Sequence, residues 1–153
     1  MKTIIDDKIA SITQACGLGH ELRVSGEIPS EEGVVIVAEL LNNKSTYNTL
    51  ELTSGRMAKL GKGDVVVGAL GPRKALFGYS GHVPASLKVG DIIQMLNIGG
   101  VMGVCDSATP DKGKPFDLKV LGVVLNFPYL GERIGVPARV GYRPLAADAP
   151  LDT

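Results

Sequence analysis

Ile5, Ile9, Ile12 and Cys16 recur at i, i+4, i+7 and i+11, the spacing that lines apolar side chains along one stripe of an α-helix. Thr3 can cap its start and Gly17 and Gly19 can stop it, so the pattern predicts a helix over residues 4–16. Asp6, Asp7 and Lys8 would then face water, with the isoleucine stripe packed on the rest of the domain or on a second subunit. Beyond this segment the period changes. Apolar runs of four to eight residues follow at 22–25, 34–41, 47–52, 64–70, 74–77, 91–96, 101–105, 118–125 and 138–142, rich in Val, Ile and Leu and separated by Gly, Asn and Pro. Such runs are strands. The chain is therefore expected to be mainly β, a small closed or nearly closed barrel with one N-terminal helix. Asn42-Asn43 lies between two runs and predicts a hairpin turn, since Asn tolerates positive φ. The polar stretch 109–115 (TPDKGKP) predicts an exposed loop.

An internal repeat sharpens the architecture. Ser54-Gly55-Arg56 is followed by Gly63-Asp64 and the run VVVGALG, and Ser80-Gly81-His82 by Gly90-Asp91 and IIQMLNIGG. Leu60 and Leu87 each stand three residues before the glycine of the Gly-Asp pair, with Lys62 and Lys88 between. In L-x-x-G-D the glycine can turn the chain with positive φ while the aspartate accepts from the turn's amides as the next strand begins. Two like units, about 54–79 and 80–105, are the expectation, with pseudo-twofold symmetry favouring a barrel over a sandwich.

The length of 153 residues fits one domain over about 1–145, with 146–153 as a tail or the start of a linker. The 20 glycines are close to twice the usual share of about 7%, as a chain of short strands and tight turns requires. Sixteen basic and sixteen acidic residues give no net charge, which removes the usual driving force for nucleic acid or an anionic membrane. Nucleic-acid binding would need Arg56, Arg73, Lys74, Arg139 and Arg143 on one face. Aromatic residues are 5% with no Trp, which disfavours base-stacking and carbohydrate platforms. No apolar stretch approaches the ~20 residues of a membrane span, and Asp6, Asp7 and Lys8 interrupt any signal-peptide core, so a cytoplasmic location is expected. Cys16 and Cys105 form no CxxC pair, and a zinc site would need both to converge with His20 and His82. No metal site is expected.

Candidate chemistry concentrates at 71–84 (GPRKALFGYSGHVP), where Arg73, Lys74, Tyr79, Ser80 and His82 lie beside three glycines. Gly-rich turns with adjacent cations can offer amides and charge to a phosphate or carboxylate; the competing reading is a hairpin with solvated cations. No GxxxxGK[ST] or GxGxxG motif accompanies them. His82 could serve as acid or base with Cys105 or Ser80 as nucleophile and Asp91 or Asp106 orienting the ring, against the plainer role of a loop histidine. Cys105 ends an apolar run and reads more simply as a packed thiol. Asn97, Gly99 and Gly100 form a tight feature that either flanks a ligand or turns a hairpin.

The segments SGR, GDVVVGALGPRKALFGYSGHVP, GD and LNIGGVMG, over about 54–105, resemble an N-terminal β domain that precedes a P-loop ATPase-like domain in poorly characterised bacterial proteins. The resemblance implies an accessory role, with a P-loop ATPase-like protein or domain as partner. It transfers no catalytic residue, because the nucleotide motifs themselves are missing from this chain. The sequence thus points to a non-catalytic domain that binds a partner protein or a small anionic ligand through Arg73, Lys74, Tyr79, Ser80, His82, Asn97, Gly99 and Gly100 and that forms homo-oligomers. The alternative is a small hydrolase or transferase using His82 with Cys105 or Ser80.

Overall fold

The computed structural model describes residues 2–16, 18, 21–46, 48–74, 78–108, 113–126 and 135–140. The chain is mainly β, 52% strand and 4% helical. Its strands are β1 (Lys2–Ile5), β2 (Lys8–Ile9), β3 (Glu21–Ser25), β4 (Val35–Leu40), β5 (Thr49–Glu51), β6 (Met57–Lys59), β7 (Val65–Leu70), β8 (Tyr79–His82), β9 (Ile92–Met95), β10 (Val101–Ala108), β11 (Asp117–Asn126) and β12 (Val136–Pro137). Hydrogen bonds close a ring through five of them: β4 pairs β7, β7 pairs β10, β10 pairs β9, β9 pairs β11, and β11 returns to β4. Only the β7–β10 contact in that ring is parallel. Among the described residues no helix is long and apolar enough to cross a membrane.

β4 explains why its sequence reads as an unbroken apolar run. Ile36, Ala38 and Leu40 join one buried cluster with Val66, Ile93, Met102, Leu118 and Val120. The intervening Val35 and Val37 join a second with Ile9, Leu22, Val24, Val67 and Val124. Alternate side chains point to opposite faces of a strand, so β4 is covered on both sides and polar residues are excluded from nearly all of it.

The helix expected over 4–16 is absent. Thr3, Ile4 and Ile5 lie in β1 against β3, Lys8 and Ile9 lie in β2 beside β7, and only Ser11–Cys16 is helical, as a 3-10 helix. The stripe is divided accordingly: Ile9 is buried while Ile5 is 71% exposed. β-Branched residues favour extended backbone, and the residues expected to face water supply the anchor. Asp7 N–H donates to Val65 O at 2.7 Å, Asp7 Oδ2 accepts Val65 N–H at 2.8 Å, and Lys8 Nζ pairs with Asp64 at 2.8 Å. An isolated helix of about this length is marginal, so ready-made ladder partners outweigh it.

The Asn42-Asn43 hairpin is also absent, because β4 and β5 do not pair with each other. The two asparagines act through their side chains: Asn42 Oδ1 accepts Asp117 N–H and Asn43 Oδ1 accepts Lys62 N–H, both at 2.8 Å. Of the last run, 138–142, residues 141–142 lie outside the described residues; Arg139 makes a bridge to Val34, and the neighbouring strand is β12. Of the run 74–77, residues 75–77 lie outside the described residues, as does the tail 146–153.

The two Gly-Asp turns match bond for bond. Gly63 and Gly90 have φ of 94° and 95°. Gly63 N–H donates to Leu40 O and Gly90 N–H to Val120 O, each at 2.8 Å; Asp64 O and Asp91 O accept from Leu40 and Val120 N–H, each at 2.9 Å. Asp64 Oδ2 accepts Gly61 N–H and Asp91 Oδ2 accepts Lys88 N–H. The ladders continue in step: Glu39 faces Val65 as Lys119 faces Ile92, and Ala38 faces Val66 as Leu118 faces Ile93. β4 and β11 pair with Leu40 opposite Leu118 and Ala38 opposite Val120, a register that exchanges the two halves about Glu39 and Lys119. The correspondence stops at the serines: Ser54 lies in a turn, whereas Ser80 lies within β8.

Glycine has different work at Gly90 and Gly100. No atom lies within 4 Å of a Cβ built at Gly90, whereas one built at Gly100, φ 99°, collides with Ala10 Cβ. Gly90→Ala is therefore expected to lower stability by about 1–2 kcal/mol through backbone strain, and Gly100→Ala by about 3 kcal/mol or more through strain plus overpacking. Urea denaturation of both variants measures the difference.

Candidate functional site

The cations expected to be solvated behave unequally. Arg73 exchanges both backbone bonds with Gly81, at 2.9 and 3.0 Å, and its Nη1 donates to the carbonyl of buried Leu96. Arg73 thus ties the start of the 71–84 segment to the end of β9. Lys74 is exposed. Tyr79 is buried at 2% exposure, and its hydroxyl accepts from Lys44 Nζ at 2.9 Å. It is a core residue with an internal partner.

Asn97, Gly99 and Gly100 make the turn between the antiparallel strands β9 and β10. Asn97 Oδ1 accepts Val101 N–H at 2.9 Å, Gly99 O accepts Ile12 N–H at 3.0 Å, and Gly100 O accepts Ala69 N–H at 3.0 Å. These polar atoms are occupied within the chain and seat the 3-10 helix against the ring.

His82 does meet a carboxylate: its Nδ1 lies 2.9 Å from Asp106 Oδ2, both side chains being about half exposed. Asp106 falls where the β8–β10 register shifts, between the Cys105–Gly81 and Ser107–Ser80 pairs. His82 faces Val104 and Cys105 faces Gly81, so the histidine and the thiol occupy opposite faces of the strand pair. Cys105 Sγ turns instead to Ser107 O at 3.4 Å. Burial pushes the thiol up, and the Asp106 charge adds to the effect against the Ser107 hydrogen bond. A thiol held protonated is a weak nucleophile, and Cys105 fits packing. Burial likewise raises Cys16, whose Sγ approaches Arg139 O. No group of three or more His, Cys, Asp or Glu suited to a metal forms among the described residues; His20 lies outside them.

A depression lies where the 71–84 segment begins. It has a volume of about 500 Å³, with Gly33, Leu70, Gly71, Val101 and Val140 among its lining and Glu32 and Arg139 as its charged residues. Gly33 N–H donates to Leu70 O and Gly33 O accepts Val140 N–H, both at 2.7 Å, so three chain segments are stitched together beneath it. Arg139 Nη1 pairs with Glu31 Oε1 at 2.7 Å, which engages one edge of a guanidinium that has five donors.

A second, polar depression of about 310 Å³ is bounded by 42–46, Gly113 and Lys114. Lys44 lies at its wall, with Nζ donating to Tyr79 Oη at 2.9 Å and Lys114 O at 2.7 Å and standing 5.5 and 5.9 Å from the Tyr79 and Phe116 ring centres. Burial lowers its pKa. Sequence reasoning passed over Lys44, because a lysine in a polar loop carries no local mark of its aromatic neighbours. In the sequence Arg139 stands out only as a member of a basic set, Val140 only within an apolar run, and Gly33 not at all. Comparison of the chain with protein-family profiles, curated proteins and solved structures finds no match.

Arg73→Ala should lower stability by about 1–2 kcal/mol, since it leaves a buried carbonyl without its charged donor, while Lys74→Ala should be nearly silent; thermal melts separate the two. For Lys44, the unfolded chain binds the proton more readily than the folded one below the ordinary pKa of 10.5. Stability then rises with pH in that window. The parent should gain stability relative to Lys44→Met between about pH 8 and about pH 10 in paired urea titrations.

Proposed function

We propose that this chain is a non-catalytic, cytoplasmic binding domain. Its ring of strands is a small closed barrel built from two like units, and the domain recognises a small anionic ligand with an apolar body. The observation that carries this reading is the depression of Leu70, Val101 and Val140 beside a half-engaged Arg139. Concave apolar sites with a few polar groups at their rim are the usual form of small-molecule sites, and a guanidinium edge suits carboxylate or phosphate. The site extends the 71–84 region through Gly71 and Pro72. Self-association belongs to the same reading, supported by Ile5, exposed on the outermost strand of its sheet. The resemblance over 54–105 makes a P-loop ATPase-like protein the partner class.

Native mass spectrometry of protein taken directly from cells tests both parts. The parent should carry an added small-molecule mass that Arg139→Ala and the space-filling Val101→Phe both lose, and should appear as more than one subunit. A parent without added mass, or variants that retain it, contradicts the ligand reading. A second reading, a hydrolase, is favoured only by the His82–Asp106 contact, with Ser80 on the face of β8 that His82 occupies. It requires ester hydrolysis by the parent that His82→Ala abolishes.

A further inference from the structure

Val65 and Ile92 hold equivalent places after the two Gly-Asp turns, yet their outer edges differ. Each lies at a non-hydrogen-bonded position of its ladder, Val65 opposite Glu39 and Ile92 opposite Lys119, because the flanking Asp64 and Asp91 carbonyls make the cross-strand bonds. The N–H and C=O of both residues therefore point away from β4 and β11. At Val65 the chain fills that edge itself. Asp7 bonds both groups, its backbone N–H to the carbonyl and its carboxylate to the amide, while Lys8 Nζ reaches Asp64 at 2.8 Å and Ile9 is buried in the cluster against which Val65 packs.

At Ile92 no such segment is present among the described residues. β10 pairs with β9 only as far as Gly103–Gln94, and beyond it Cys105 N–H is held by the Gln94 side chain at 2.9 Å. Asp91 is exposed, and among the described residues its Oδ2 accepts Lys88 N–H alone. Ile92 and Val89 are 53% and 49% exposed. The edge thus presents a backbone donor and acceptor, a carboxylate and an apolar surface in the arrangement that Asp7, Lys8 and Ile9 satisfy on the other half.

We propose that the β9 edge at Asp91 and Ile92 is a docking site for an extended segment of a partner polypeptide carrying Asp-Lys followed by an apolar residue. The partner's aspartate would bond the Ile92 amide with its carboxylate and the Ile92 carbonyl with its N–H, its lysine would pair with Asp91, and the next apolar side chain would cover Ile92. This is strand addition with charge complementarity at one position. It is independent of the depression at Arg139, so loss of one leaves the other standing.

The test uses the peptide KTIIDDKIA, the sequence of residues 2–10, titrated into the isotope-labelled full chain. Amide shifts should appear at Val89, Asp91 and Ile93, with Ile92 changing most. Asp91→Asn keeps an oxygen for the Lys88 amide but removes the charge, and Ile92→Pro removes an amide proton that bonds nothing among the described residues, a position where a strand tolerates proline. Each should weaken binding about tenfold, the loss of one good hydrogen bond or ion pair, with melting curves confirming the fold. A peptide with alanine in place of the Asp7 and Lys8 equivalents loses both contacts and should bind about a hundredfold more weakly. Absence of shifts, shifts confined to 64–67 through displacement of β2, or equal binding by parent and both variants would overturn the proposal.

Discussion

Leu40 and Val120 each give one backbone hydrogen bond to a Gly-Asp turn and accept one from it, and the ring depends on this pair of clamps. A strand slipped by one residue would turn its core side chains outward. The clamps fix β4 against β7 and β11 against β9, and the β4–β11 ladder joins the halves, so Ala38, Leu40, Leu118 and Val120 all face one core. The positive φ of Gly63 and Gly90 is the local condition for the clamp, and the aspartate carboxylates hold each turn by an amide three residues back.

The halves differ in what surrounds the clamps, and those differences place the candidate sites. On the β7 side the chain supplies β2 and the 3-10 helix, and the glycine-rich β9–β10 turn lets Ala10 approach Gly100. The end of β7 then runs into Gly71 and Pro72 at the large depression. On the β9 side the strand returns at once through Asn97 and Gly100, and among the described residues no strand occupies the position equivalent to β2. The two clamps and their ladders are common to both halves, and the depression and the exposed β9 edge lie where the halves depart from one another.

The strands with buried faces were legible in the sequence because burial dictates their composition. The runs containing β4, β7, β9, β10 and β11 stand out as Val, Ile and Leu, and the L-x-x-G-D spacing located both clamps. The edge elements were not legible. β2 and β6 are two and three residues long, and β8 is YSGH; their extended form comes from a neighbour's hydrogen bonds, not from pattern. The N-terminal isoleucines showed helical spacing by coincidence, and the decisive contacts, Asp7 to Val65 and Lys8 to Asp64, span more than fifty residues. The depression joins Gly33, Leu70, Val101 and Val140, which share no local signal, and Arg73 looked like a surface cation because its acceptor, Leu96 O, is 23 residues away.

Amide hydrogen exchange tests the matched clamps and their unequal edges together, since it reports each backbone bond separately. Leu40 and Val120 should exchange among the slowest amides and at similar rates, and Val65 should be protected while Ile92 exchanges as an exposed amide. Equal protection of Val65 and Ile92, or rapid exchange at either Leu40 or Val120, would contradict the account.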